Sequence, residues 1–590
     1  MRRLHLASFG LLLAAAAVGL LSAGPSRTEA PAGKKIAGFS LKDAAGKPVA
    51  LADFKDRKAV VVLFLGTECP INNNYMPRLA ELHKEYDAKG VQFLAVNSNT
   101  QDSAERIAEH AKKHAIPFPV LKDADAAVAD QFGAQRTPTA FLLDPAGMIR
   151  YQGRIDDQYG IGFVRPKATR RDLVEAVEEV LADKAVSRPT TPVAGCLIGR
   201  AVKPKAEAQV SFAKHVAPIL QKHCQECHRP GNIGPMALLT HADASAWSAM
   251  IQEVVSENRM PPWHADPKFG KFANDRSLPA DERATLLKWI DQGCPSGDLN
   301  ELPKPREFAS NEWTIGKPDV VFEMPSAFTV PASAGKGGIP YKYYIVPTNF
   351  KEDRWVQAVE AKAGNRAVVH HILVYARTLA KGDRADGIGD GLLATQAPGE
   401  LPTILPPGAA KKIPKGAALV FQMHYTPNGV EQSDRSSVGI IFAKEPPKQE
   451  VKTRAIANNR ISIPANDANY QATSRTTFTE DSLLLSFLPH MHLRGKSFNY
   501  KVVYPDGKEE TLLSVPKYDF AWQANYRLAT PLKLPAGTRI ECTAVFDNSA
   551  DNPNNPDPTQ PVRWGEQTWQ EMLIGFVDYT VVKEREKEKE

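Results

Sequence analysis

The chain has 590 residues, room for about four domains of ordinary size. With 43% hydrophobic and 24% charged residues it has a globular composition, which excludes a fibrous or wholly disordered chain. Its 73 basic and 67 acidic residues leave a net charge of +6, too dilute for a nucleic-acid binder, so no nucleic-acid partner is expected.

In chain order, Met1-Arg2-Arg3 precedes an apolar run from about Leu4 to Leu21 and the small residues Ser22-Ala23-Gly24. A basic start, an apolar core and a small-residue end predict a secretory signal peptide over 1–24. The alternative is an uncleaved anchor helix, since the run is just long enough to span a bilayer. Apart from export or that anchor, no membrane association is expected, and the chain is read as periplasmic or secreted. Disulfides, covalent haem and copper are all permissible there.

Pro- and charge-rich stretches divide the rest. A linker is expected at 184–210, around Ser187-Arg188-Pro189-Thr190-Thr191-Pro192, and another at 300–317, around Leu302-Pro303-Lys304-Pro305-Arg306. Between them lie an α/β domain (36–183) and an all-α domain (211–299). A β-rich region follows as two lobes, 318–445 and 446–583, ending in a charged tail at 584–590. Stretches 379–391 and 547–561 read as long loops. Gly387, Gly389 and Gly391 follow no strand, which argues against a dinucleotide loop.

In the α/β domain, the continuous apolar run Ala59–Leu65 suits a strand buried on both faces. Gly66-Thr67-Glu68-Cys69-Pro70 then leads to a helical stretch, Met76–Ala88. A cysteine there is expected to be exposed, with its pKa lowered by the positive end of the helix. Arg136-Thr137-Pro138-Thr139 precedes a second apolar strand, Ala140–Leu143. These features resemble the thioredoxin superfamily, particularly its exported thioredoxin-like and peroxiredoxin-like (redoxin) members. The resemblance implies a cis Thr-Pro bond beside the active cysteine. A Cys-x-x-Cys motif would need a second cysteine at position 72, where this chain has Asn72. Cys69 is the candidate redox thiol and Cys196, just past the domain, its possible partner. His110 and His114, at i and i+4 among lysines, read as a solvated helix face.

The helical domain contains Cys224-Gln225-Glu226-Cys227-His228, the attachment signature of c-type haem. Two thiols add to the two vinyl groups, and the next residue offers its imidazole to the iron. A structural zinc site would want a second ligand pair, and none is nearby. The domain resembles class I-like cytochromes c, with Asp281–Gly293 as the closing amphipathic helix. That resemblance makes Met260, in Arg259-Met260-Pro261-Pro262, the expected sixth ligand, with Met236 and His264 as runners-up. A Met ligand would raise the reduction potential and leave no open position, which means electron transfer.

In the β region, His370 and His371 are adjacent in a strand-like run, so both can bind one metal only with local distortion or at a strand end. His424 follows in Gln422-Met423-His424-Tyr425. His490 and His492 share a face at i, i+2, and Met572 lies near the end. Three imidazoles suit copper or zinc, whereas two imidazoles with a thioether favour Cu(I). In this order and context the residues resemble the copper type II, ascorbate-dependent monooxygenases. The resemblance implies two jelly-roll-like lobes, an electron-storing copper on His370, His371 and His424, and an oxygen-binding copper on His490, His492 and Met572. In the peptide-amidating members an Arg, an Asn and a Tyr hold a substrate carboxylate. Leu488, Ile574 and Phe576 stand at those positions here, which argues against amidation.

The expected protein is thus an exported, multidomain oxidoreductase: a copper-dependent monooxygenase inserting one oxygen atom from O₂ into a C–H bond. Electrons would come through the fused haem, from ascorbate, another one-electron reductant or a donor protein. The alternatives are a non-catalytic copper-binding or assembly protein, and a thiol peroxidase or disulfide exchanger centred on Cys69. Cys294 and Cys542 receive no role.

Overall fold

The computed structural model describes residues 33–582 apart from 166, 231, 309–312, 333–338, 380–390, 398–399, 401 and 429. The segment expected to be a signal peptide, the charged tail and most of the stretch 379–391 expected as a loop lie outside the described residues. No described helix is long and apolar enough to cross a membrane.

The first domain is built on a seven-stranded mixed sheet, among the described residues, with Ala59–Phe64 an inner strand between Val91–Asn97 and Thr139–Leu143. Strands 59–64 and 91–97 run parallel and are buried at every position. This is what an unbroken apolar run requires: side chains alternate, so both faces must be covered. Helices Pro70–Asp87 and Asp172–Leu181 bury Leu79, Leu82 and Val177 on one face. Helix Ala127–Phe132 covers the other, where Phe132 packs edge-on against Phe64 and Phe141. Each fully buried Val, Leu or Phe contributes about 1.5–3 kcal/mol through loss of apolar surface to water.

The stretch 184–210 is not a free linker, although its composition reads as one. The Thr191 amide donates to the Gln152 carbonyl at 3.1 Å and the Gln152 amide to the Pro189 carbonyl at 2.9 Å across the sheet edge. Strand Cys196–Leu197 pairs antiparallel with Arg136–Thr137, and Ile198 enters the domain's core. This strap approaches closely enough that a Cβ at Gly195 would lie 2.0 Å from the Thr137 carbonyl oxygen. Only glycine allows that approach.

The middle segment contains a π-helical turn, Phe212–Val216, and helices Ala217–His223, His241–Ala246, Ser248–Ser256 and Ala280–Asp291. They enclose Phe212, Val216, Leu220, Leu286 and Trp289. The segment is less self-contained than an isolated all-α domain. Its stretch 263–275 turns outward and joins the last lobe, with Phe272 bridging Leu528 and the Ala273 amide donating to the Arg527 carbonyl at 2.8 Å. Trp263 and Phe272 pack against Tyr526, and Ala265 is part of that lobe's core. The second expected linker is also docked, since the Arg306 guanidinium donates to the Gln221 carbonyl at 3.0 Å and pairs with Glu226.

The β region is rich in sandwich packing and encloses two hydrophobic cores. One four-stranded sheet (Lys342–Pro347, Ala418–Tyr425, Val369–Arg377, Leu392–Gln396) faces strands of the first lobe. A second (Tyr470–Thr477, Arg539–Phe546, Gly495–Val503, Glu509–Val515) faces strands of the other lobe. The lobes are not separate, however. Their inner strands belong to one nine-stranded sheet among the described residues, joined where Ala409–Ile413 pairs parallel with Gln449–Ala457. Buried Lys411 closes that seam by donating to Thr453 Oγ1 at 2.9 Å and pairing with Asp578 at 3.2 Å.

Candidate functional site

Three centres carry the chemistry-bearing residues. In the first domain, Cys69 is the N-cap of helix Pro70–Asp87 and its Sγ donates to the Thr137 carbonyl at 3.1 Å. The Thr137–Pro138 bond is cis. Contrary to the sequence expectation, Cys69 is buried, only 1% exposed, because the strap lies over it. Strand pairing sets Cys196 directly opposite Thr137, and the two thiols are within hydrogen-bonding reach. Both are free thiols.

Burial alone would raise the Cys69 pKa. The Cys196 thiol and the backbone amides of Asn72 and Cys196 outweigh it and hold Cys69 below the ordinary thiol value. Cys196 is pushed upward in turn, first by that hydrogen bond and then by burial. The pair is therefore asymmetric, with one sulfur poised as thiolate and its neighbour as proton donor.

Asn72, where a second motif cysteine would stand, is wholly buried and donates to the Gly66 carbonyl at 2.7 Å, so it supports the turn that presents Cys69. Sequence reading missed a polar cluster behind that turn, in which Asp102 accepts from Thr67, Asn97 and Asn99. Nor is His110 on a solvated face: its Nε2 lies 2.8 Å from Asn73 Oδ1, and burial followed by the neighbouring His114 lowers its pKa to about 4.

In the middle segment, Cys224 and Cys227 follow helix Ala217–His223 directly. His228 Nδ1 lies 3.2 Å from the Met236 carbonyl oxygen, which fixes the ring and leaves Nε2 for a ligand. That is the donor arrangement a haem iron needs, so these residues fit the group. Met236 contributes the oxygen of that bond, and its side chain packs on the helical core. Met260, half-buried, begins the stretch that joins the last lobe. His264 is turned toward that lobe, beside Asp519 and Lys517.

In the β region, His371 sits directly opposite His424 on paired strands. The register shifts between Val369 and His371, so His370 is the extra residue of a β-bulge. A bulge re-aims a side chain, and it resolves the problem of two adjacent histidines pointing apart. The ligand nitrogens of His370, His371 and His424 all lie within 4.8 Å of one another.

The second set lies at the end of strand Ser482–His490, with the ring centroids of His490 and His492 5.2 Å apart. His490 Nδ1 is 2.6 Å from Gln523 Oε1, and His492 Nδ1 is 3.2 Å from the Gln570 carbonyl. Their Nε2 atoms are buried without a hydrogen-bond partner, as is His371 Nε2. Orphaned buried nitrogens on rings tied at the opposite nitrogen fit metal ligation. Met572, 1% exposed, lies two residues before Ile574, which pairs with His490. Glu571, wholly buried, accepts from the His492 and Arg494 amides at 2.9 and 2.6 Å and thereby shapes the turn that carries His492. Sequence separation gives no signal for Gln523, although Glu571 could have been noticed beside Met572.

A single aromatic layer separates the two sets. Tyr341 packs within 5.4 Å of His371, 5.0 Å of His424 and 6.5 Å of His492. Phe520 stacks on His370 at 5.3 Å and lies 6.0 Å from His492. Burial lowers the pKa of all five histidines, to about 4 for His370 and His490, so the imidazoles are neutral at pH 7. Leu488, Ile574 and Phe576 pack in the apolar seam between the lobes.

A family model described as AhpC/TSA family matches residues 32–152. The thiol-disulfide oxidoreductase ResA of Geobacillus thermodenitrificans is 31% identical over 152 residues, 25% of this chain and 86% of that relative. The chain belongs to the AhpC/TSA family of thioredoxin-like redoxins. ResA of Bacillus thuringiensis is 33% identical to the chain over 117 residues, 20% of this chain and 66% of the relative, so the chain spans about two thirds of that protein. Among solved structures, hypothetical protein SMc02350 of Sinorhizobium meliloti is 35% identical with a TM-score of 0.27, covering 29% of this chain and 95% of that one. The redoxin resemblance covers about the N-terminal quarter of the chain, the part that contains Cys69.

Proposed function

We propose that the redoxin domain is a thiol–disulfide oxidoreductase in which Cys69 and Cys196 form the redox couple. The adjacency of Cys196 to Cys69 carries this reading, supported by the family membership and by the activity named for ResA. The Cys69 thiolate attacks one sulfur of a substrate disulfide, forming a mixed disulfide and releasing the other sulfur as a thiolate. Cys196, giving up its proton, then attacks Cys69 and expels the second substrate thiol. The substrate disulfide is reduced to two thiols while the pair is oxidised to a disulfide, so an external dithiol must restore it. Mild oxidation of the whole chain followed by proteolysis and mass spectrometry is expected to recover one dominant disulfide-linked pair, Cys69 with Cys196. Recovery of both as independently alkylated thiols would refute the couple.

A second reading is favoured by the convergence of His370, His371 and His424 and by the orphaned nitrogens of His490 and His492. In it these residues, with Met572, would hold two copper ions, while Cys224, Cys227, His228 and Met260 would hold a haem. Copper so bound supplies one-electron chemistry toward O₂, the basis of a monooxygenase acting on an organic C–H bond. The chain's own contribution is to fix ring tautomers through Gln523 and the Gln570 carbonyl, to hold the ligand loop through Glu571, and to exclude water with Tyr341 and Phe520. Export, by the signal expected at 1–24, would suit all three centres. Metal analysis after copper loading is expected to give two copper ions per chain, falling to one in His424→Ala. Equal zinc loading at both sets would overturn the copper assignment.

A further inference from the structure

The strap over Cys69 has two sides, and its outer side faces the middle segment. Cys196 and Leu197 pack against the helical core that contains Phe212, Leu220 and Trp289. A Cβ at Gly199 would lie 2.9 Å from the carbonyl oxygen of Ala246, the last residue of helix His241–Ala246. On the inner side the redoxin domain holds the strap by hydrogen bonds. The Thr100 amide donates to the Gly199 carbonyl at 3.0 Å, the Gly199 amide to Asn99 Oδ1 at 2.9 Å, and the Ile198 amide to the Gln135 carbonyl at 2.8 Å. Residues 196–199 are therefore gripped from both domains.

A charged pair crosses the same junction. Glu253, on helix Ser248–Ser256, accepts from Arg136 Nη1 at 3.4 Å and from Arg136 Nη2, and it pairs with Arg259 of its own segment. Arg136 is the redoxin residue opposite Leu197 in the strap pairing, and its Nη1 also donates to the Gly195 carbonyl at 2.9 Å. Gly195 precedes Cys196 where the strap passes closest to Thr137. Two-pronged pairing with a carboxylate fixes a guanidinium plane that is otherwise free to turn. The Arg136 and Glu253 side chains are 25% and 15% exposed, so water screens the pair only in part. Both charges reach Cys196: behind the larger effects of Cys69 and burial, Arg136 lowers its pKa and Glu253 raises it.

We infer that Glu253, supplied by the middle segment, is a positioning residue for the thiol pair: it holds Arg136 on the Gly195 carbonyl and so seats Cys196 against Cys69. Its effect on the chemistry rests on the redox couple proposed above. Glu253 touches neither sulfur and acts through Arg136. Without it the guanidinium loses its anchor and the strap opens more often. Cys196 then reaches a mixed disulfide on Cys69 more slowly.

The test uses the full reduced chain and two readouts. Hydrogen–deuterium exchange of the peptide spanning 195–199 reports strap opening. Quenched mass spectrometry after addition of oxidised glutathione follows the chemistry. The Cys69 thiolate takes up one glutathione as a mixed disulfide and releases the other as a thiol; Cys196 then expels the first as a thiol, leaving the Cys69–Cys196 disulfide. Glu253→Gln is expected to speed strap exchange about tenfold and to lengthen the mixed-disulfide lifetime about tenfold, with exchange in strand Ala59–Phe64 unchanged. Arg136→Gln is expected to do at least as much, and the double variant to match Arg136→Gln, because both residues act through one contact. Glu257→Gln is expected to change neither readout; Glu257 caps the same helix, is 58% exposed and pairs with Arg259 at 2.7 Å. Strap exchange unmoved in Glu253→Gln, or additive effects in the double variant, overturns the inference and leaves the redox couple intact. Faster strap exchange with an unchanged mixed-disulfide lifetime also overturns it, because the seat then does not position Cys196. A wild-type chain that forms no Cys69–Cys196 disulfide overturns the couple and the inference with it.

Discussion

Cys69→Ser is expected to lower thiol–disulfide exchange at least about a hundredfold, while Cys196→Ser is expected to keep the first attack and stall at a mixed disulfide. The difference follows from the asymmetry of the pair. Cys69 carries the lowered pKa and starts the reaction, whereas Cys196 holds its proton and acts second. Losing the Cys196 thiol also removes the strongest interaction that lowers the Cys69 pKa, so the onset of Cys69 alkylation should move to higher pH in Cys196→Ser. Iodoacetamide rates measured from pH 5 to 10, with mass spectrometry of trapped adducts, check both points. An unchanged alkylation profile in Cys196→Ser, together with full turnover, would remove Cys196 from the mechanism.

Acidification is expected to destabilise the metal-free β region strongly as the pH falls from about 6.5 to about 4. A histidine whose pKa is lower in the folded state leaves the unfolded chain binding more protons in that window, so stability present above 6.5 is lost on the way down. For His370 and His490, held near 4 against 6.5, the loss is about 3 kcal/mol each. His371, His424 and His492 are shifted in the same direction. Buried Glu400 and Glu571 act oppositely, because burial raises both to about 7 and acid relieves their ionised forms. Two carboxylates do not offset five imidazoles. Thermal unfolding of the apo chain across pH 4 to 7.5 is expected to show a steep drop that the double variant His370→Gln/His490→Gln reduces. A flat profile would mean that these rings are not buried neutral. Added copper should raise the midpoint at pH 7 and lose its effect in acid, as protons compete for the same nitrogens.

What the sequence made legible was local or periodic. The run Ala59–Leu65 reads correctly because a strand covered on both faces needs an unbroken apolar stretch. The β-rich character of the last region is legible from its alternating runs and turn residues. The histidine sets stand out because polar rings in apolar strands demand a reason. What escaped was set by register and long-range docking. The bulge at His370 depends on how Val369–Arg377 pairs with Ala418–Tyr425, which neither strand states alone. The stretch 184–210 has linker composition, and only its pairing at Cys196–Leu197 makes it part of the redoxin domain. The join between Phe272 and Leu528 connects residues more than two hundred positions apart, so sequence spacing gives no sign of it.

The strap has a kinetic consequence. A cysteine carried on the same chain and zipped beside Thr137 meets Cys69 at an effective concentration on the order of millimolar or above, regardless of how dilute the protein is. A free thiol at micromolar concentration cannot compete with it for a mixed disulfide. If Cys69 and Cys196 are the redox couple proposed above, the oxidation state of the domain would be insulated from small thiols around it and would answer to a reagent able to peel the strap away.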